Sequence, residues 1–264
     1  MKVTFGKNES HDYPRTSYLL QGGEWLKDRK QAPWSISSIW SVVWFVAAIV
    51  WALLHARVLA DMGAEQAILF VLIALLLLPL HELSHALFLW ITGRRVYAIR
   101  FLPFAGNRSK HKPTAYVKPE LTVLSRGEQM LLSAFPLILL SVLPTVIALF
   151  CPPLRVWLIW TALANAADSC YDVRHIYEDF SLPKNACHID GTWCILHAGE
   201  TVILRRLRIK PGATHVSDVE RTDFRVEGRR LMEIPADGDG RGPDGYGIPD
   251  LLNEFKQQFQ LSET

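Results

Sequence analysis

Two histidines and a glutamate lie inside a long apolar stretch, and this combination constrains the fold more than any other feature of the sequence. The stretch reads ALLLLPLHELSHALFLWI over residues 74–91, with His81, Glu82 and His85 near its middle. An ionisable side chain inside a membrane-spanning segment costs about 2.5 to 3.5 kcal/mol on insertion scales. The three side chains therefore require partners that offset this free energy, and a bound divalent cation is one such partner.

The spacing of the two histidines fits a metal site on a helix. Residues at positions i and i+4 share one helical face, so His81 and His85 can direct imidazole nitrogens at the same ion. Glu82 is then close enough to reach a water molecule on that ion, which gives the HExxH signature of zinc hydrolases. The alternative is a helix end in the headgroup region, where water and lipid phosphate satisfy the three side chains. The apolar residues that continue to Ile91 favour the metal.

The distribution of apolar residues predicts a membrane protein. Hydrophobic residues make up 50% of the 264-residue chain and charged residues 20%, with a net charge of +2. The apolar residues are concentrated in four segments, each near the roughly 20 residues needed to cross a bilayer, at residues 36–56, 67–91, 130–150 and 156–173. Pro136 and Pro144 predict kinks in the third segment. We therefore expect a mainly α, polytopic membrane protein with about four transmembrane helices.

The basic residues predict which parts of the chain face the cytosol. Lysines and arginines precede the first segment and fill the loop at residues 93–128, whereas the two opposite connections hold only Arg57 and Arg155. By the positive-inside rule, this loop and both termini are cytosolic. Residues 1–35 lack the apolar core of a secretory signal peptide. The expected location is the plasma or cytoplasmic membrane, with the lipid bilayer as a partner of the chain.

A catalytic zinc site needs a third protein ligand, which leaves a fourth position for water. The fourth segment ends in TALANAADSCYDVRH, residues 161–175, where four polar side chains at helical spacing form one stripe: Asn165, Asp168, Asp172 and His175. The helical rise per residue places Asp172 level with the HExxH motif, near the cytosolic side. Asp172 is therefore the preferred third ligand.

The other residues of this stripe have alternative roles. Asp168 is an alternative ligand, or a hydrogen-bond partner that holds an imidazole in its metal-binding tautomer. Asn165 is predicted to bond water or a substrate carbonyl, or to make a polar contact between helices. His175 is predicted to be an interfacial histidine rather than a ligand.

The composition also predicts how the chain is divided. Residues 1–35 are expected to form a cytosolic N-terminal segment, and residues 36–175 the transmembrane core, including the 93–128 loop. Residues 176–235 are expected to form a small cytosolic subdomain with β structure. The Gly-rich residues 236–264 are expected to form a flexible tail with a short helix.

The 93–128 loop is predicted to contain a β-hairpin, formed by the stretches RRVYAIRFLPF and TAYVKPELTVL. This hairpin either accepts an extended substrate as a further strand or rests on anionic lipid.

Four residues near the start of the β subdomain match no standard zinc spacing: Cys187, His188, Cys194 and His197. The sequence contains no nucleic-acid-binding motif, so no nucleic-acid partner is expected.

Three stretches of the sequence resemble a known family. They are HELSHALF, TAYVKPELTVLSRGEQMLLSAFPLILLSVLP and NAADSCYDVRHIYEDFSLPKNACHIDGT, within roughly residues 70–195. The resemblance is to the zincin peptidase family of multi-pass membrane proteins, which is distantly similar to the site-2 intramembrane proteases. It implies that His81 and His85 bind zinc, that Asp172 completes the ligand set, and that Glu82 is the catalytic base.

The expected function is that of a membrane-embedded zinc metalloendopeptidase, which hydrolyses peptide bonds with metal-activated water. The expected cofactor is Zn²⁺, and the expected substrate is a protein or peptide, membrane proteins included. Two alternatives remain open. One is a zinc-dependent hydrolase of a lipid or small amide, and the other is a non-enzymatic metal-binding membrane module.

Overall fold

The structure is a computed structural model, and it describes residues 2–5, 15–26, 33–61, 63–101, 115–119, 121–190, 192–197, 199–209, 219–227 and 230–235. In chain order, its helices are α1 (Trp34–Leu54), α2 (Ala56–Ala60), α3 (Ala64–Ile91), α4 (Arg126–Leu137), α5 (Leu143–Phe150), α6 (Arg155–Asp168) and α7 (Cys170–Phe180). A π-helical segment, Ile138–Val142, joins α4 to α5, and a short 3-10 turn, Pro152–Leu154, precedes α6.

The strands of the described residues form separate sheets rather than one. In chain order they are β1 (Lys2–Phe5), β2 (Arg15–Gln21), β3 (Gly23–Trp25), β4 (Val96–Phe101), β5 (Ala115–Pro119), β6 (Val123–Ser125), β7 (Ala186–Ile189), β8 (Thr192–Leu196), β9 (Val202–Ile209), β10 (Val219–Glu227) and β11 (Arg230–Ile234). Their orders within the sheets are β1-β4-β5, β11-β10-β9-β2 and β3-β8-β7-β6. Strands β1 and β4 pair in parallel, and the other pairings are antiparallel.

Three stretches of the described residues are long and apolar enough to cross a membrane: Ser35–Leu54, Ala64–Ile91 and Arg126–Phe150. The last of these runs from α4 through the π-helical segment to α5. Large apolar side chains on these stretches are exposed, among them Phe45 at 64%, Leu75 at 67% and Phe150 at 82%. Apolar surface of this extent is expected to contact lipid rather than water. The prediction of a mainly α protein with apolar helices of membrane-spanning length is confirmed in this coarse form.

The fourth predicted span is shorter than the sequence suggested. Helix α6 has 14 residues, which at 1.5 Å per residue is about 21 Å long. A hydrocarbon core is about 30 Å thick. The helix ends at Asp168, and α7 begins at Cys170. A fourth crossing, and the cytosolic placement of both termini, therefore stay predictions.

Helix α3 carries the HExxH motif in its second half and ends six residues after it, at Ile91. Gly93 adopts a left-handed conformation, with φ of 74°, which costs glycine little because it has no Cβ. Its N–H donates to the Trp90 carbonyl, and the Arg94 N–H donates to the Leu89 carbonyl. This pair of hydrogen bonds is the Schellman motif that terminates helices. The chain then turns directly into β4.

The described residues divide into two compact units, one within Met1–Gly6, Asp28–Glu120 and Arg126–Lys184, the other within Lys7–Lys27, Leu121–Ser125 and Asn185–Thr264. In the first unit, α3 packs against α4, α6 and β5. The β4–β5 pairing runs from Val96 opposite Pro119 to Phe101 opposite Ala115. The predicted hairpin in the 93–128 loop is therefore present, and residues 102–114 lie outside the described residues. Its apolar side chains pack on α3 at Ala86 and Leu89.

The second unit is built from two four-stranded sheets. Its core contains Val123, Ile189, Cys194, Leu204 and Phe224, drawn from strands of both sheets. The β region predicted after the transmembrane core is therefore present. Its N-terminal contribution comes from β2 and β3, which pair with β9 and β8. The predicted tail, residues 236–264, lies outside the described residues, and the predicted domain boundaries stay predictions.

The turn between the two sheets of this unit requires glycine. Strands β2 and β3 are joined by Gly22, whose φ is 76°. A Cβ at this position would lie 2.7 Å from the Thr201 carbonyl oxygen, closer than a carbon atom can approach. Strands β8 and β9 also belong to different sheets, so the chain changes sheet between β8 and β9 as well as at Gly22.

Candidate metal centre

Three side chains converge between α3 and α7. His81 and His85 lie one turn apart on α3, and Asp172 lies in the first turn of α7. His81 Nε2 is 2.9 Å from Asp172 Oδ2, and His85 Nε2 is 3.5 Å from Asp172 Oδ1. One potential ligand atom from each of the three residues lies within 4.8 Å of the others. No other histidine, cysteine, aspartate or glutamate joins this group in the part of the chain that the structure describes.

Asp172 reaches this position because the helix that precedes it is interrupted. Ser169, which is fully buried, separates α6 from α7. Its N–H donates to the Asn165 carbonyl as in a continuing α-helix, and its hydroxyl donates to the same carbonyl, a contact that often bends helices. Asp172 is then in the first turn of a new helix, where the helix dipole favours a carboxylate. The continuous helical stripe expected over residues 165–175 is therefore split into two helices.

Asn165 fixes the orientation of the His81 imidazole. Its amide nitrogen donates to the Pro136 carbonyl at 3.2 Å and to Ser141 Oγ at 2.8 Å. The amide oxygen therefore faces His81, whose Nδ1 lies 3.0 Å away. An amide oxygen can only accept, so Nδ1 carries the proton. The Nε2 lone pair of the neutral ring then points at Asp172.

His85 is oriented in the same way by a backbone carbonyl. Its Nδ1 lies 2.8 Å from the Leu132 carbonyl oxygen. Because a carbonyl is an acceptor only, Nδ1 of His85 must be the protonated nitrogen. Its Nε2 is left with a lone pair directed at the Asp172 carboxylate. Hydrogen bonds from Nδ1 to such acceptors are the usual support for metal-binding histidines.

The chemistry of these donors fits a divalent cation. Two nitrogen lone pairs and a carboxylate face one another, and Asp172 Oδ2 accepts no well-formed hydrogen bond from the described residues. Without a cation, the two Nε2 lone pairs would face the carboxylate oxygens and repel them unless an imidazole took up a second proton. A divalent cation among the three donors removes this repulsion and offsets the charge of the buried carboxylate. Two histidines and one aspartate match zinc, with a position left open for water or substrate.

Glu82 and a cavity lie beside this group. Glu82 is only 7% exposed, and it lines a cavity of about 310 Å³, at the lower end of the range for small-ligand sites. The lining residues are Leu78, His81, Glu82, His85, Leu89, Val117, Gln129, Leu132, Ser133, Ala167, Asp168, Cys170, Tyr171, Asp172 and His175. The predicted base and the predicted ligands therefore face one cavity with partly apolar walls.

The other polar residues predicted from the sequence take different positions. Asn165 is 1% exposed and contacts His81 rather than the cavity. Asp168 and His175 are exposed at the cavity, and neither contributes to the group of three ligand atoms. Asp168 is therefore a second acid that lines the cavity but supplies none of the three ligand atoms.

Sequence reasoning missed the residues that α4 and the π-helical segment contribute. Gln129 lines the cavity, and its buried Oε1 has no hydrogen-bond partner among the described residues. The Leu132 carbonyl and Ser141 support the two histidines, directly or through Asn165. The sequence carries one signal for the role of the Leu132 carbonyl, because Pro136 leaves the carbonyl four residues earlier without its helical donor.

The cysteines and histidines of β7 and β8 do not form a second metal group among the described residues. Cys187 lies opposite Cys194 across the two strands. Burial, together with the neighbouring Cys187, raises the pKa of the Cys194 thiol to about 12. A cysteine binds metal as the thiolate, and this pKa disfavours it.

Replacement of Asn165 by leucine is expected to lower zinc affinity by about 10- to 100-fold, the range typical for loss of an outer hydrogen-bond partner. The leucine cannot accept the His81 Nδ1–H, so the ring loses its fixed tautomer. Competition between the purified protein and a chelating dye measures the affinity. Thr161→Val is the matched control, because Thr161 lies one turn earlier on α6 and bonds only within that helix, to the Trp157 carbonyl. Equal affinities for wild type and Asn165→Leu would contradict this role.

Comparison with protein families gives one match. Residues 74–187, which are less than half of the chain, match the sequence model of a family described as "Putative zincin peptidase". The matched residues include the HExxH motif and Asp172. The resemblance expected from the sequence is confirmed over these residues. Comparison with curated proteins and with solved structures gave no significant match.

Proposed function

We propose that this chain is a membrane-embedded zinc metallopeptidase that hydrolyses peptide bonds with metal-activated water. One observation carries the proposal: His81 Nε2, His85 Nε2 and the Asp172 carboxylate converge within 4.8 Å, beside the buried Glu82. The match of residues 74–187 to the zincin peptidase family supports the same reading. The apolar helices of membrane-spanning length support a location in the bilayer.

In this proposal each residue of the site has a separate task. His81, His85 and Asp172 hold the ion, and their support by Asn165 and the Leu132 carbonyl keeps the ligand atoms in place. A bound zinc ion supplies Lewis acidity to water and to a substrate carbonyl. Glu82 takes a proton from the attacking water and returns it to the amine that leaves. Glu82 is suited to this task because it lines the same cavity as the three ligand residues.

The cavity favours a peptide as the substrate. Its apolar lining suits side chains, and Gln129 Oε1 is a buried acceptor without a partner among the described residues. A buried polar atom without a hydrogen bond costs about 1 to 3 kcal/mol, and a substrate backbone N–H is a donor of the right kind. An ester of a lipid offers no such donor. A zinc hydrolase acting on a lipid or small amide, and a non-enzymatic metal-binding module, are the alternatives that experiment must separate.

Reconstitution tests the peptidase proposal directly. The zinc-loaded protein is placed in liposomes with membrane proteins extracted from its source cells, and new N-termini are labelled and identified by mass spectrometry. Lipids from the same samples are analysed in parallel. The matched control is Glu82→Gln, which preserves the size of the side chain. New N-termini with wild type alone support the proposal. Lipid products alone would favour the lipid hydrolase, and no product from zinc-loaded protein would favour the binding module.

Gln129→Met is expected to reduce kcat/KM for a cleaved peptide by roughly 2- to 10-fold, the effect of one hydrogen bond between neutral groups. Methionine matches the glutamine side chain in length but does not offer the amide oxygen. Zinc content is expected to stay at the wild-type level, because Gln129 does not belong to the ligand group. Kinetics of wild type and variant on one identified peptide provide the measurement. An unchanged kcat/KM would remove Gln129 from substrate binding.

A further inference from the structure

One short stretch of the third candidate span, residues 132–141, supports both histidines. The Leu132 carbonyl accepts the hydrogen bond of His85, and Pro136 and Ser141 hold the Asn165 amide that orients His81. We propose that Pro136 is the positioning residue of this stretch, and that it sets the orientation of His85 by freeing the Leu132 carbonyl. This inference rests on the proposed metal site and adds the residue on which its geometry depends.

The Leu132 carbonyl lacks its helical hydrogen-bond donor because of Pro136. In an α-helix each carbonyl accepts from the N–H four residues later. Pro136 lies inside α4 and has no N–H, so the Leu132 carbonyl receives no bond from it. The same carbonyl is the acceptor for His85 Nδ1, at 2.8 Å. The imidazole therefore occupies the place that proline leaves open.

The surroundings of this carbonyl are apolar, so it needs a donor from the protein. Pro136 is buried, with less than 2% of its surface exposed, and it lies in a stretch apolar enough to cross a membrane. Inside a membrane protein, a carbonyl released from the helix must find another donor, because water is scarce there. His85 supplies that donor. The hydrogen bond in turn fixes the proton on Nδ1 and leaves Nε2 for the metal.

The two histidines depend on Pro136 in different ways. The carbonyl of Pro136 accepts from Asn165 Nδ2 at 3.2 Å, and this contact needs the carbonyl but not the ring of proline. Alanine at 136 keeps the carbonyl and adds an N–H that competes for the Leu132 oxygen. Pro136→Ala is therefore expected to disturb His85 while His81 keeps its contact with Asn165. His81 becomes an internal control within the same molecule.

A second proline of the same span provides an external control. Pro144 is buried in α5 and cannot donate to the Leu140 carbonyl, whereas the Nδ1 atoms of His81 and His85 contact Asn165 and the Leu132 carbonyl. A general effect of removing a proline from a membrane helix would therefore occur in Pro144→Ala as well. An effect through the Leu132 carbonyl would be confined to Pro136→Ala.

The test reads the tautomers of the two histidines in metal-free protein by ¹⁵N NMR, with histidine labelled and signals assigned by single His→Gln variants. Wild type and Pro144→Ala are expected to carry the proton on Nδ1 in both rings. In Pro136→Ala, His85 is expected to lose this preference while His81 keeps it. Zinc affinity of Pro136→Ala is expected to fall about 10- to 100-fold. A folded Pro136→Ala with His85 unchanged and zinc affinity within about 2-fold of wild type would overturn the inference.

A measurement on wild type covers the case in which Pro136→Ala does not fold. Protein labelled with ¹⁵N in histidine and ¹³C at the leucine carbonyls is expected to show dipolar coupling between His85 Nδ1 and the Leu132 carbonyl carbon. Absence of this coupling would overturn the inference. Failure of the proposed function gives a different result, because zinc-loaded wild type would then cleave no peptide whatever the tautomers of its histidines.

Discussion

Replacement of His81, His85 or Asp172 by alanine is expected to reduce zinc affinity by more than about 100-fold, beyond the loss caused by removing an outer hydrogen-bond partner. Each residue supplies one of the three converging ligand atoms. Loss of any one leaves two protein ligands, fewer than catalytic zinc sites use. Metal content per chain after dialysis against a weak chelator measures the effect. Wild type is expected to keep about one zinc ion per chain, and the three variants little.

Asp168→Ala is the matched control for this series. Asp168 lines the same cavity but does not join the group of three ligand atoms. We expect it to keep its zinc, with an affinity close to that of wild type. A zinc loss in Asp168→Ala equal to that in Asp172→Ala would show that the assignment of the third ligand is wrong. Circular dichroism of each variant separates loss of metal from loss of fold.

Glu82→Gln is expected to lower kcat by roughly 100- to 10,000-fold, the usual contribution of a general base. Glutamine has the shape of glutamate, but its amide cannot take a proton from water. Zinc content is expected to stay near that of wild type, because the Glu82 carboxylate is not among the converging ligands. Kinetics on a peptide identified in the liposome experiment, together with metal analysis, provide the measurement.

The two readouts of this variant separate catalysis from structure. Glu82→Asp keeps the carboxylate but draws it back by one methylene, and we expect its activity to lie between those of wild type and Glu82→Gln. A Glu82→Gln protein with zinc bound and full activity would rule out Glu82 as the base. Loss of zinc along with activity would instead assign Glu82 to holding the metal.

The sequence predicted the elements whose signals are local. The pairing of His81 with His85 on one face of α3 follows from their spacing, and the ends of the apolar segments fall near the ends of α1, α3 and α5. Alternation of apolar residues predicted the β4–β5 hairpin.

The features that the sequence did not predict depend on distant parts of the chain. The break at Ser169, which divides the expected continuous helix into α6 and α7, coincides with a hydrogen bond from the Ser169 hydroxyl to the Asn165 carbonyl. Strands β2 and β3 join the C-terminal β unit through distant pairings, such as Arg15 with Ile209 and Trp25 with Cys194. The contact of His85 with Leu132 spans 47 residues. Periodicity reports which face of an element is apolar, but it does not report which element that face meets.

Zinc K-edge X-ray absorption on the purified wild-type protein identifies the atoms that bind the metal. We expect about one zinc per chain, surrounded by nitrogen and oxygen atoms at about 2.0 to 2.2 Å, with the multiple scattering typical of imidazole. Zinc bound through sulfur at about 2.3 Å would assign the metal to cysteines instead. That result, or wild-type protein that takes up no zinc under metal-replete conditions, would contradict a metal centre formed by His81, His85 and Asp172.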